Sequence, residues 1–249
     1  MAHQLYREVN PLDEVPRTPN VDTHSIFVAG GSGYIGRPLI ERLVSRGHNV
    51  RALVRLGSEQ KLPQGCESIL GNALDASSYR DRIAPSDTFV QLVGVAHPSP
   101  AKSVEFQAID RISGLGSVDA ATQTGIRHFV YLSVAQPAPV MKSYQAVRAE
   151  CERALLASGM NVTLVRPWYV LGPGHRWPYA LLPMYWLCEH IPATREAANR
   201  LGLVTLEQMV RTLVSAVEHP SIGARFVEVP EIRKAEVPQP VPPKAASRA

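Results

Sequence analysis

The segment of the chain that most plainly carries chemistry is Ala29-Gly30-Gly31-Ser32-Gly33-Tyr34-Ile35-Gly36. An apolar run, Ile26-Phe27-Val28-Ala29, precedes it, and Ile35, Leu39, Ile40, Leu43 and Val44 follow at helical spacing. Gly30 permits a sharp turn at a strand end, Gly33 lets the backbone approach a pyrophosphate, and Gly36 lets the helix pack close to the sheet. The bare amides of this loop (Gly31, Ser32, Tyr34 and Ile35 among them) sit at the positive end of the helix dipole, where a diphosphate is held. The strand-loop-helix context favours dinucleotide binding over a merely flexible turn.

The next apolar run selects among dinucleotides. It ends Arg51-Ala52-Leu53-Val54-Arg55-Leu56-Gly57, without the acid that usually accepts the adenosine ribose hydroxyls. A carboxylate there would repel a 2′-phosphate, whereas the Arg55 guanidinium could pair with it bidentately. The expected cofactor is NADP(H), with NAD(H) possible; the plainer reading of Arg55 is a solvated strand end.

The elements that position these residues alternate strand and helix, the mark of a doubly wound parallel α/β sheet of Rossmann type. Expected strands are 25–29, 49–55, 67–70, 88–93, 129–133, 162–166 and 225–229. A long helix is expected over 104–124 with Ser103 as a possible N-cap, and another around Tyr144, Val147, Cys151 and Leu155, ending at Gly159. Thr205 and Gln208 are spaced as a capping box for a helix that Pro220 stops. Residues 1–23 read as an extended leader, 24–229 as the nucleotide-binding domain with a small, mostly helical cap at about 168–204, and 230–249 as a loose Pro-rich tail.

Bulk properties narrow the function. A net charge of +4 without Lys/Arg blocks argues against nucleic acid as partner. Cys66, Cys151 and Cys188 are widely spaced, so neither a metal site nor a disulfide framework is expected. No apolar run approaches the roughly 20 residues of a membrane span, and no signal peptide is evident, so a cytoplasmic location is expected.

Beyond the glycine spacing, Gly125-Ile126-Arg127-His128-Phe129-Val130-Tyr131-Leu132-Ser133 and Leu164-Val165-Arg166-Pro167 with Gly172-Pro173-Gly174 resemble the extended and atypical short-chain dehydrogenase/reductases, from about Ser25 to Val229. The short C-terminal part is most similar to the atypical branch, which includes nitrogen-metabolite-repressor-like proteins and relatives of a complex I accessory subunit. The resemblance implies a Ser that hydrogen-bonds the substrate oxygen, a Tyr that moves a proton, and a Lys four residues on that lowers the tyrosine pKa. By position these are Ser133, Tyr144 and Arg148. Arg148 keeps the charge but not the geometry of a lysine; the alternative is that Tyr144 packs on the sheet while Arg148 pairs with Glu152. The resemblance also implies that Asn72 and Ala73 reach the adenine and that Val93-Gly94-Val95 line the nicotinamide ribose. His97 could carry a proton, although beside Pro98 and Pro100 a solvated role is the plainer one.

A substrate is expected beyond the carboxyl ends of the strands. All three tryptophans of a chain with 6% aromatic residues fall in Trp168–Trp186, and Trp168 and Trp177 are the candidate lining residues. The run 179–188 reads more plainly as a core helix, and His175 and Arg176 are weak candidates for meeting an anion. These features suggest reduction of a small carbonyl or quinone-like acceptor, with a hydrophobic partner surface as another use of the aromatics. The competing readings are a cofactor-binding sensor or assembly factor without turnover and, less favoured for want of a large C-terminal lobe, a nucleotide-sugar epimerase or dehydratase.

Overall fold

The computed structural model describes residues 23–174, 183, 186, 188 and 190–235. Seven strands form one all-parallel sheet: β1 (Ser25–Ala29), β2 (Asn49–Val54), β3 (Glu67–Leu70), β4 (Thr88–Gln91), β5 (His128–Leu132), β6 (Asn161–Arg166) and β9 (Ala224–Glu228). Their order is β3-β2-β1-β4-β5-β6-β9, which reverses direction beside β1 and opens a crevice there. The expected doubly wound architecture is therefore present.

The period-2 alternation of the strands sorts side chains onto two faces. Ile26 and Val28 meet α1 (Gly36–Ser45) and α6 (Leu206–Glu218) through Leu39, Ile40, Leu43, Met209, Val210 and Leu213. Phe27 and Ala29 face the layer of α3 (Ile112–Gln123) and α4 (Lys142–Ala157), with Val118, Ala121, Cys151 and Leu155. Phe27 is in register with Phe89, and Phe89 with Phe129. Ring centres 5.2 and 5.0 Å apart fuse the three central strands through one aromatic row. The Thr205–Gln208 capping box forms as spaced: Thr205 Oγ1 accepts from the Gln208 amide at 3.1 Å, and Gln208 Oε1 accepts from the Thr205 amide at 2.8 Å.

Several boundaries differ from expectation. β2 stops at Val54 and β4 at Gln91, so Arg55, Leu92 and Val93 belong to loops at the carboxyl edge. The single helix expected over 104–124 is three pieces: α2 (Ser103–Glu105), a π-helical stretch Phe106–Arg111, and α3. Ser103 does not cap it; a 3-10 turn at Pro100–Lys102 leads in, and no side chain bonds the start of α2. The cap region holds α5 (Pro192–Arg200) but also a parallel pair, β7 (Tyr169–Leu171) with β8 (Leu203–Thr205), that the sequence reading missed. Part of the stretch read as a loose tail is helix: α7 (Val229–Lys234) buries Val229 and Ile232. Trp186, read as part of a core helix, is 63% exposed. Among the described residues no helix is long and apolar enough to cross a membrane, and no cluster of three metal-ligating side chains occurs. All three cysteines are free.

Candidate functional site

Five segments converge where β1, β4, β5 and β6 end. They enclose a cavity of about 440 Å³ whose lining includes Tyr34, Ile35, His97, Leu132, Ser133, Tyr144, Trp168 and Tyr169. The glycine loop thus adjoins the two side chains expected to act on a substrate.

Gly30 takes φ +90, and a Cβ there would stand 2.9 Å from the Leu92 carbonyl carbon, so only glycine passes between β1 and the β4 loop. A Cβ on Gly36 would strike the Gly30 carbonyl oxygen. Gly33 differs: it is exposed, and a Cβ there would meet only the Gly30 oxygen, at 3.1 Å. Its outer side is an open backbone surface at a helix start, which fits the diphosphate of a dinucleotide. The Tyr34 hydroxyl turns inward against Gly172, tying the loop to the end of β7.

Around this loop the predicted contacts divide. Arg55 is exposed just beyond β2, and its side chain has no hydrogen-bond or ion-pair partner among the described residues. Asn72 is exposed, but its Oδ1 accepts from the Leu74 amide at 3.0 Å, so the acceptor expected to reach adenine is engaged in a local turn. Ala73 packs on the second core layer. The Val93 amide leans toward Gln91 Oε1 at 3.4 Å, Gly94 is exposed, and the Val95 amide donates to Asp110 Oδ2 at 3.0 Å.

Ser133 and Tyr144 line the cavity together. The Ser133 amide is fixed to the Val165 carbonyl at 2.7 Å, while its buried Oγ has no hydrogen-bond partner among the described residues. The Tyr144 ring packs 4.9 Å from that of Phe106. Burial pushes its hydroxyl pKa up, and the nearby Arg148 guanidinium only partly offsets this.

Arg148 departs from both readings of it. It is 3% exposed, and Nη2 donates to Asp110 Oδ1 at 2.5 Å while Nη1 donates to the Leu132 carbonyl at 2.8 Å. A Cβ on Gly94 would run into this guanidinium. Arg148 therefore braces the β4 loop against the end of β5 instead of standing free toward a ribose, and it does not bring the tyrosine into the ordinary range. Nor does it pair with Glu152, which holds Arg166 at 2.9 and 2.6 Å. Arg166 also reaches Glu228 at 3.0 Å and so locks the β6 end to β9. Asp110 escaped sequence reasoning because it lies 38 residues from Arg148 in a stretch read as ordinary helix.

Trp168 lines the cavity, its ring edge-on to Tyr169 at 5.6 Å. Trp177, His175, Arg176 and most of 179–188 lie outside the described residues.

A family model described as NAD(P)H-binding matches residues 30–176. The chain is 24% identical over 212 residues to a ceramide reductase of Caulobacter vibrioides, covering 84% of this chain and 65% of that protein. It is 28% identical over 168 residues to a 4-hydroxy-2-methyl-3-oxo-4-farnesyl-3,4-dihydroquinoline-1-oxide ketoreductase of Stigmatella aurantiaca, covering 59% of this chain and 50% of that one. The chain thus spans less than two thirds of the length of these curated relatives. The Bordetella bronchiseptica enzyme WbmH, solved with NAD+, shares the fold at TM-score 0.63 and 20% identity, over 83% of this chain and 76% of that one. With its family match spanning the glycine loop, the strand ends and the cavity wall, the chain belongs to the NAD(P)H-binding family and is an atypical member of the short-chain dehydrogenase/reductase superfamily.

Proposed function

We propose that the protein is an NADP(H)-dependent reductase of an apolar carbonyl or quinone-like compound. The observation that carries the reading is the cavity of about 440 Å³, which joins the tip of the glycine loop to Ser133, Tyr144 and Trp168 within a lining of Ile35, Leu132, Val134, Pro167 and Val170. Bound NADPH would supply the hydride. The glycine loop holds its diphosphate, and Arg55, with no acid beside it at the end of β2, favours the 2′-phosphate. Ser133 Oγ donates to the substrate oxygen, and the apolar walls with Trp168 exclude water around it. The names ceramide reductase and farnesyl-dihydroquinoline-oxide ketoreductase point to apolar substrates in relatives.

The test is loss of NADPH absorbance with a panel of long-chain ketones and quinones. Turnover with at least one, reduced at least tenfold by Ser133→Ala, supports the reading; no turnover with any of them defeats it.

One observation favours a second reading, a cofactor-binding sensor without turnover. The residue in the place of the family lysine is spent on Asp110. Under that reading NADPH binds and stays unoxidised with every acceptor.

A further inference from the structure

Carbonyl reduction needs a proton as well as a hydride, and the lining of the cavity limits where it comes from. Among the described residues that line it there is no Lys, Arg, Asp or Glu; the proton-bearing side chains are Tyr34, His97, Ser99, Ser133, Tyr144 and Tyr169. The Tyr34 hydroxyl is turned against Gly172. Burial pushes the Tyr144 and Tyr169 hydroxyls up, and the arginine that stands where a lysine would activate Tyr144 is held by Asp110 and the Leu132 carbonyl. A serine hydroxyl donates a hydrogen bond but is a poor acid. Imidazole is the side chain type that gives and takes protons near neutrality.

The backbone at His97 is also unusual. It adopts φ +50, in the left-handed region that a non-glycine residue enters at a cost. The following Pro98 would bias its predecessor toward extended backbone, so the left-handed turn is set by the rest of the loop, where Lys102 Nζ donates to the Ala96 carbonyl at 2.7 Å. His97 is exposed and contributes to the lining of the same cavity as Ser133, Tyr144 and Trp168.

We propose that His97, rather than Tyr144, is the catalytic acid that protonates the substrate oxygen, with Ser133 orienting that oxygen. The inference rests on the reductase reading above. As the carbonyl carbon takes the hydride with its electron pair, the carbonyl oxygen takes the proton from the imidazolium, whose N–H bond breaks. The neutral imidazole then regains a proton from solvent, which its exposed position allows, so each turnover consumes one NADPH and one proton and releases NADP+ and an alcohol.

Two measurements test this. In the first, His97→Asn removes the acid but tolerates the left-handed backbone, since asparagine enters that region readily. It should lower kcat at least 100-fold, in line with the usual contribution of a general acid, with the NADPH Kd within twofold; Tyr144→Phe should cost under tenfold. A kcat within threefold of wild type for His97→Asn, with Tyr144→Phe inactive, overturns the proposal. The second needs no turnover: in isotopically His-labelled protein with NADP+, a saturated tertiary alcohol with a decyl tail, which cannot be oxidised, is titrated in. The His97 ring resonance, assigned by its loss in His97→Asn, should shift saturably. No shift overturns the proposal; if the alcohol then still quenches tryptophan fluorescence, the cavity reading survives without His97, and if it does not, both fall.

Discussion

Arg148 and Asp110 form a buried ion pair across 38 residues of chain, Nη2 to Oδ1 at 2.5 Å, with side chains 4% and 0% exposed. The pair does for the site what neither residue shows alone. Asp110 Oδ2 fixes the Val95 amide of the β4 loop, Arg148 Nη1 fixes the last carbonyl of β5 before Ser133, and Gly94 passes over both because a Cβ has no room. A position at which the resemblance implied chemistry has become a brace for the loop after β4, which lines the cavity.

Removing one partner leaves the other charged and buried, which costs far more than the pair contributes net. Arg148→Ala and Asp110→Ala should each lower unfolding free energy by about 3–5 kcal/mol. The double variant with apolar replacements should cost much less than the sum of the two. Urea denaturation measures all three, and additive losses would show that the two residues do not act as a unit.

The pattern of what the sequence disclosed follows from range. The glycine loop, the strand positions and the Thr205–Gln208 box are set by neighbours within a few residues, so composition and period reveal them. Arg148–Asp110 and Arg166–Glu152 depend on which helices the sheet brings together, and Glu152 lies four residues from Arg148 yet binds another arginine. The π-helical stretch that carries Asp110 has no sequence signature of its own here, and β7 and β8 are three-residue strands, too short for a period to register. His97 was visible as a residue but not as a conformation: only the fold shows it at φ +50 on the cavity lining.

Acid should loosen the fold through His128. Its ring is buried at the start of β5, Nε2 lies 2.9 Å from Thr163 Oγ1, and Nδ1 has no partner among the described residues. Burial drives its pKa down from 6.5 to about 4. The unfolded chain therefore takes up a proton first as pH falls. The contribution of His128 is whole above about 6.5 and is lost between there and about 4, a change of ~3 kcal/mol. The slope of unfolding free energy against pH in that window should flatten in His128→Gln; an unchanged slope would assign the acid sensitivity elsewhere.

Cofactor choice should follow Arg55. A charge-assisted contact to a phosphate is worth about 1.5–3 kcal/mol, so Arg55→Ala should weaken NADPH about 10- to 100-fold and leave NADH nearly unchanged. Fluorescence titration of both coenzymes measures this, and equal weakening would remove Arg55 from the 2′-phosphate site.

The open backbone around Gly33 should receive the diphosphate of a dinucleotide. Calorimetric titration of wild type and Gly33→Val with NADPH tests it most directly, because a side chain there would fill the open outer surface while crowding only the Gly30 oxygen. Wild type should give a saturable isotherm and the variant at least a tenfold loss of affinity, with thermal unfolding nearly unchanged. No saturable heat for wild type with any oxidised or reduced nicotinamide coenzyme, or equal affinity in the variant, would contradict it.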